Sequence, residues 1–120
     1  MTVKNALAGV AVTDLTVSKD WYQKLFGRAP DTDLMEELFQ WALPTGDWIR
    51  LFASKSLAGS SSVTLVEADL SKRLTDLRAA RYDIKKLVDS ERIKVAIIED
   101  PDGNEVVFAQ GKIVAPKVGA

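Results

Sequence analysis

Arg50 sits in the run Trp48-Ile49-Arg50-Leu51-Phe52, whose alternation places its guanidinium on one strand face between two aromatic side chains. Such a group offers five N–H donors, which can fork onto a carboxylate, phosphate or sulfate, or stack on a ring. Trp48 and Phe52 supply flat apolar walls, and Trp41 with Phe39, on one face of the preceding strand, extends them. Ser62 and Glu105 add polar groups from the second half of the chain, Glu105 being the one carboxylate that alternation brings to this face. Two readings of Arg50 stand side by side: it meets a ligand, or it pairs with Glu105 and satisfies a buried charge. Trp41 and Trp48 likewise read as stacking walls, or as packing in a core or a dimer interface.

The chain has no His and no Cys. Disulfides, thiolate nucleophiles and Cys-ligated zinc are excluded, and the commonest metal ligand is missing with the side chain that titrates near neutrality. No catalytic residue is assigned. An enzyme built from what remains needs a Glu, Lys or Tyr with a strongly shifted pKa. Tyr22 reads as a helix residue buried beside Trp21, and Ser60, Ser61 and Ser62 as loop and strand-start residues with no base at hand. Sixteen Lys+Arg against seventeen Asp+Glu leave a formal charge of -1, so no bulk field draws nucleic acid or an anionic membrane. The apolar stretch from Ala6 to Val12 is too short for a signal-peptide core or a membrane span, and the composition fits a cytoplasmic protein.

Positioning these side chains falls to a turn-and-strand unit that occurs twice. Pro44-Thr45-Gly46-Asp47-Trp48-Ile49-Arg50-Leu51-Phe52 aligns with Pro101-Asp102-Gly103-Asn104-Glu105-Val106-Val107-Phe108-Ala109, an offset of 57 (44 against 101). In each copy Pro presets φ, Gly accepts a positive φ, and a strand alternates away from the turn. Val12-Thr13-Asp14-Leu15 matches Glu67-Ala68-Asp69-Leu70 at an offset of 55 (12 against 67). In the first half Trp21, Tyr22, Leu25 and Phe26 share a helical face, closed by Gly27; in the second, Asp69 caps a helix carrying Leu70, Leu74 and Leu77. Further strands are expected at Asp33–Met35, Leu38–Leu43 and Trp48–Ala53, then at Asp83–Lys85, Ile93–Glu99 and Glu105–Gln110. Each half reads β-α-β-β-β: one α+β domain over 1–120, with modules at 5–57 and 58–111, a Gly/Ser link starting at Ala58, and a tail at 112–120.

Three stretches carry a resemblance that spans nearly the whole chain: Val12-x-Asp14-Leu15-x-x-Ser18-x-x-Trp21-Tyr22-x-x-x-Phe26-Gly27, Asp69-Leu70 with Leu77-Arg78-Ala79-Ala80, and Asp100-Pro101-Asp102-Gly103-Asn104. The chain resembles the vicinal oxygen chelate superfamily, which contains glyoxalase I, the bleomycin-resistance proteins and extradiol dioxygenases. The resemblance implies a glyoxalase/bleomycin resistance fold, with tandem modules forming a curved, cup-like mixed sheet and two helices outside. It also implies homodimers, and in metal-dependent members a divalent ion held by the first and last strands of each half. The corresponding positions here are Leu7, Ser62, Arg50 and Val107. Leu and Val have no lone pair, a neutral Ser is a weak donor, and Arg is a permanent cation. The expectation is therefore a metal-independent small-molecule binding protein without a cofactor, holding an apolar or aromatic ligand, with or without an anionic group. The alternatives are a cofactor-independent lyase or isomerase on the same scaffold, and a regulatory or interaction module whose cup is filled by side chains.

Overall fold

The computed structural model describes residues 2–35 and 38–111, with backbone alone for 32–35. The elements follow the order β1 (Leu7–Val12), α1 (Leu15–Phe26), β2 (Thr32–Met35), β3 (Leu38–Ala42), β4 (Trp48–Ala53), β5 (Ser62–Val66), α2 (Leu70–Ala79), β6 (Lys86–Asp89), β7 (Ile93–Glu99) and β8 (Glu105–Gly111). The β-α-β-β-β order thus occurs twice. Two compact units result: one holds the chain up to Ser61 together with Asp100–Asn104, the other holds Ser62–Glu99 and the chain from Glu105. Among the described residues no helix is long and apolar enough to cross a membrane.

The first unit is built on a sheet of order β1-β4-β3-β2. β1 and β4 pair in parallel, which requires a crossover, and α1 lies within it. Asp14 starts that helix, its carboxylate accepting from the backbone N–H groups of Thr16 and Val17 at 3.0 and 3.1 Å. Gly27 ends it at φ 74°, a left-handed conformation that a Cβ would penalise. Ser18, Tyr22 and Leu25 are the buried residues of the helix, and Val10, Val12, Ile49 and Leu51 are the buried face of the sheet.

The second unit repeats the plan with order β5-β8-β7-β6 and a parallel β5–β8 pair. Asp69 accepts from Lys72 N at 3.2 Å, and Leu70 and Leu77 bury the inner stripe of α2 against β7 and β8. Ala96, Ile98, Val106 and Phe108 complete this core. Four strands differ from the sequence expectation: β2 starts one residue earlier, at Thr32, β8 ends one residue later, at Gly111, and β6 and β3 differ for reasons of pairing. The first strand after α2 is Lys86–Asp89 rather than Asp83–Lys85, since the ladder to β7 runs from Lys86↔Ile97 to Asp89↔Lys94 and Lys85 only leads into it. β3 stops at Ala42, because Leu43 closes the following turn. The tail expected at 112–120 lies outside the described residues.

The repeated turns are the same object. Leu43 N donates to Asp47 O and Gly46 N to Leu43 O; at the offset of 57, Asp100 N donates to Asn104 O and Gly103 N to Asp100 O. Gly46 and Gly103 take φ 95° and 90°. Three side chains separate the copies: Leu43 against Asp100, Thr45 against Asp102 and Asp47 against Asn104. Asp100 Oδ1 accepts from the N–H groups of Asp102 and Asn104 at 2.9 Å each, and its Oδ2 accepts from Tyr22 OH and Asn104 Nδ2, also at 2.9 Å. Asn104 Nδ2 further donates to Ala11 O at 2.7 Å, and its Oδ1 accepts from Ser61 N at 2.8 Å. Asp102 receives both the N–H and the hydroxyl of Thr13. The motif thereby ties β1, α1 and the inter-module link into the first unit, with its polar groups satisfied as burial demands.

Burial raises the pKa of the Tyr22 phenol, and the neighbouring Asp100 carboxylate pushes it further the same way. Tyr82, the other tyrosine, is pushed up to about 12 by burial alone. A phenol whose folded pKa exceeds its unfolded value of about 10 contributes its full stability below that pH and loses it as pH rises beyond. Native protein titrated at the phenolate absorbance band should therefore show no ionisation step near pH 10. Above that pH, Tyr22→Phe should lose stability less steeply than the parent, by about 1.4 kcal/mol per pH unit. Parallel alkaline slopes in the two proteins would sink this account of Tyr22.

Candidate functional site

The face of the first sheet opposite α1 is a grid of side chains whose rows follow from the register. β1, β4 and β3 contribute Leu7–Trp48–Ala42, Gly9–Arg50–Gln40 and Ala11–Phe52–Leu38. Arg50 is the centre of that grid. Trp48, Arg50 and Phe52 are each half-buried, so their side chains are held yet reachable. Arg50 Nε donates to Gln40 Oε1 at 2.8 Å. The partner that its own sheet provides is thus an amide, where the sequence reading set Arg50 against Glu105.

Gly9 lies directly beside Arg50 in the parallel pair, and its missing side chain is used. A Cβ at Gly9 would come within 3.2 Å of Phe52 Cε1, so the Phe52 ring leans across the space above β1. Trp48 stands two residues to the other side of Arg50 on the same face. The result is a guanidinium flanked by two aromatic side chains along its strand, with an amide on one cross-strand side and open backbone on the other.

Trp41 does not belong to this face. It pairs with Ile49 and is 1% exposed, its ring 5.3 Å from Phe26 and 6.3 Å from Tyr22, with Nε1 donating to Arg28 O at 3.0 Å. Phe39, paired with Leu51, shares that helix side, under the Lys19 ammonium at 5.4 Å. The expectation that these two aromatics extend the wall is corrected by one step of strand parity: it is Leu38, Gln40 and Ala42 that share the face of Arg50. Gln40, which the sequence reading overlooks, is the functional candidate gained. The signal for it was the turn: closure of Leu43 on Asp47 sets Ala42 opposite Trp48, and hence Gln40 opposite Arg50.

In the second unit the equivalent rows are Ser62–Glu105–Glu99, Thr64–Val107–Ile97 and Val66–Ala109–Val95. Ser62 and Glu105 are therefore direct cross-strand neighbours, both exposed. The offsets of 55 and 57 hold residue by residue: Leu7 pairs with Trp48 as Ser62 pairs with Glu105, and Gly9 with Arg50 as Thr64 with Val107. Val107 is the centre here, so this face is aliphatic at its centre and acidic along the Glu105–Glu99 row, where the first is cationic at its centre. A separate shallow groove of about 350 Å³ is lined by Asp20, Gln23, Lys24, Gly27 and Arg28 at the end of α1, where Arg28 is already engaged by Asp31 at 2.7 Å.

Solved structures share this architecture. The chain is similar to a glyoxalase / bleomycin resistance protein from Catenulispora acidiphila DSM 44928, 28% identical over 90% of this chain and 98% of that one, with a TM-score of 0.83. The chain belongs to the vicinal oxygen chelate superfamily. Its α+β fold is the glyoxalase/bleomycin resistance fold. The same fold appears in TnmS3, an antibiotic binding protein from Streptomyces sp. CB03234, at 21% identity over 92% and 98% of the two chains with a TM-score of 0.75. It appears again in a lactoylglutathione lyase from Agrobacterium tumefaciens, at 16% identity over 92% and 95% with a TM-score of 0.77. No family model and no curated protein matches the sequence.

Metal-dependent members of the superfamily need oxygen or nitrogen donors on the first and last strands of each half. The resemblance puts those positions at Leu7 and Arg50 in the first unit and at Ser62 and Val107 in the second. That donor set does not fit a divalent ion. Arg50 aggravates the mismatch, since the centre of its face carries a fixed positive charge that repels a cation. Among the described residues no three His, Cys, Asp or Glu gather into a group able to hold a metal.

Proposed function

We propose that this superfamily member is a metal-independent small-molecule binding protein, a homodimer acting in the cytoplasm, whose ligand lies on the open face of the first sheet. The observation that carries the reading is Arg50 at the centre of an otherwise uncharged grid, braced by Gln40 and flanked by Trp48 and Phe52. A mostly apolar surface with one oriented polar group is the make-up of a small-molecule site. Among proteins of this fold, the one named an antibiotic binding protein gives precedent for holding a ligand as an end in itself. Ser62 and Glu105, paired in the second unit, remain candidates for polar contacts there.

The test uses protein purified without a histidine tag. Metal analysis should find no stoichiometric divalent ion, and treatment with EDTA should leave the thermal unfolding midpoint unchanged. One equivalent of tightly bound ion, or a fall in the midpoint on chelation, would overturn metal independence. A native mass spectrum of the same preparation should show a dimer with a retained small molecule; a monomer would remove the homodimer from the proposal.

A further inference from the structure

We infer that the open face of the first unit selects aromatic monocarboxylates, with Arg50 binding the carboxylate and Gln40 acting as the positioning residue. The inference rests on the small-molecule-binding reading above and adds to it the chemical class of the ligand.

Gln40 is 9% exposed and stands in the otherwise apolar strand Leu38-Phe39-Gln40-Trp41-Ala42. A buried amide in such a strand needs a partner, and its Oε1 takes the Arg50 Nε–H at 2.8 Å. That bond uses the inner edge of the guanidinium and leaves the two terminal amino groups. Among the described residues no hydrogen bond engages them. Two N–H donors on one plane match the two oxygens of a carboxylate, and a guanidinium already held at Nε loses less freedom on binding.

Charge and spacing narrow the class. Among the described side chains of the grid, Arg50 is the only charged one, so it balances a monoanion. A phosphate dianion would leave an unbalanced charge on a partly desolvated face. Trp48 and Phe52 each lie two residues from Arg50 along the strand, about 7 Å away at the usual rise per residue. A ring bonded to its carboxylate directly or through one carbon spans that distance. The Phe52 ring, leaning over Gly9, presents a flat apolar surface beside the guanidinium.

Calorimetric titration of the full chain with naphthalene-2-carboxylate, the neutral naphthalene-2-carboxamide and phenyl phosphate decides the matter. The carboxylate should bind at least about tenfold tighter than the carboxamide, a gap of about 1.4 kcal/mol, and tighter than phenyl phosphate. Arg50→Gln should erase the gap through a far larger loss for the carboxylate than for the carboxamide, and Arg50→Lys, which keeps the charge without the fork, should narrow it. Gln40→Leu, which removes the brace, should narrow it severalfold, the loss falling mainly on the carboxylate. Gln40→Glu should lose carboxylate binding, because an anion beside the guanidinium neutralises it. Merely structural roles for these residues would weaken both naphthalene probes alike, and that outcome overturns the assignment. Equal affinities for the two probes in the parent protein also overturn it, yet leave the small-molecule reading standing, as does a preference for phenyl phosphate. No saturable binding of any probe by about 1 mM overturns both.

Discussion

Asp100→Ala is expected to cost about 3–5 kcal/mol of folding stability, which is a large part of the roughly 5–15 kcal/mol a domain possesses. The carboxylate is 5% exposed and accepts four hydrogen bonds: two from its own turn, one from Asn104 Nδ2 and one from Tyr22 OH. Removing it leaves the Tyr22 hydroxyl, itself fully buried, without its acceptor, and frees the turn that Gly103 permits. The loss exceeds that of a single bond because unsatisfied buried donors retain their full desolvation cost. Tyr22→Phe should cost only about 1–2 kcal/mol, since Asp100 keeps its other three donors. The double variant should be less destabilised than the sum of the singles, the mark of a shared network. Urea unfolding of the four proteins measures all of this. An Asp100→Ala protein within about 1 kcal/mol of the parent would show that the turn is merely a turn.

Trp41→Ala should cost about 3–5 kcal/mol, whereas Trp48→Ala should stay within about 1 kcal/mol of the parent. Trp41 is 1% exposed within an aromatic cluster with Phe26 and Tyr22, so truncation opens a cavity in a packed core. Trp48 is half-buried on the opposite face, where neighbouring solvent fills whatever space its ring leaves. In ligand titrations the order should reverse: Trp48→Ala weakens aromatic probes while a folded Trp41 variant such as Trp41→Phe does not. Destabilisation falling on Trp48 in place of Trp41 would return Trp41 to the ligand face and invert the parity of β3.

Much of the scaffold was legible because it is local. Asp14 and Asp69 cap their helices, and Gly27 ends the first one, through interactions that reach only three or four residues along the chain. The paired turns were legible because Gly46 and Gly103 mark positive φ at equivalent places, and the 57-residue offset then carries through to the registers of β4 and β8. The face of β4 followed from alternation, which is why Trp48, Arg50 and Phe52 do stand together.

The face of β3 did not follow, for a reason internal to its residues. Leu38-Phe39-Gln40-Trp41-Ala42 is apolar on both parities apart from one amide, so hydrophobicity alone leaves its orientation undecided. Pairing with β4 decides it, turning Trp41 into the core and Gln40 towards Arg50. The same holds for Asp100-Pro101-Asp102-Gly103-Asn104. Its sequence specified a turn, through Pro and Gly acting on their own dihedrals. Only the tertiary structure determined that Asp100 and Asn104 would bond to Tyr22, Ala11 and Ser61, because those partners are 43 to 93 residues distant and the chain supplies no local trace of them.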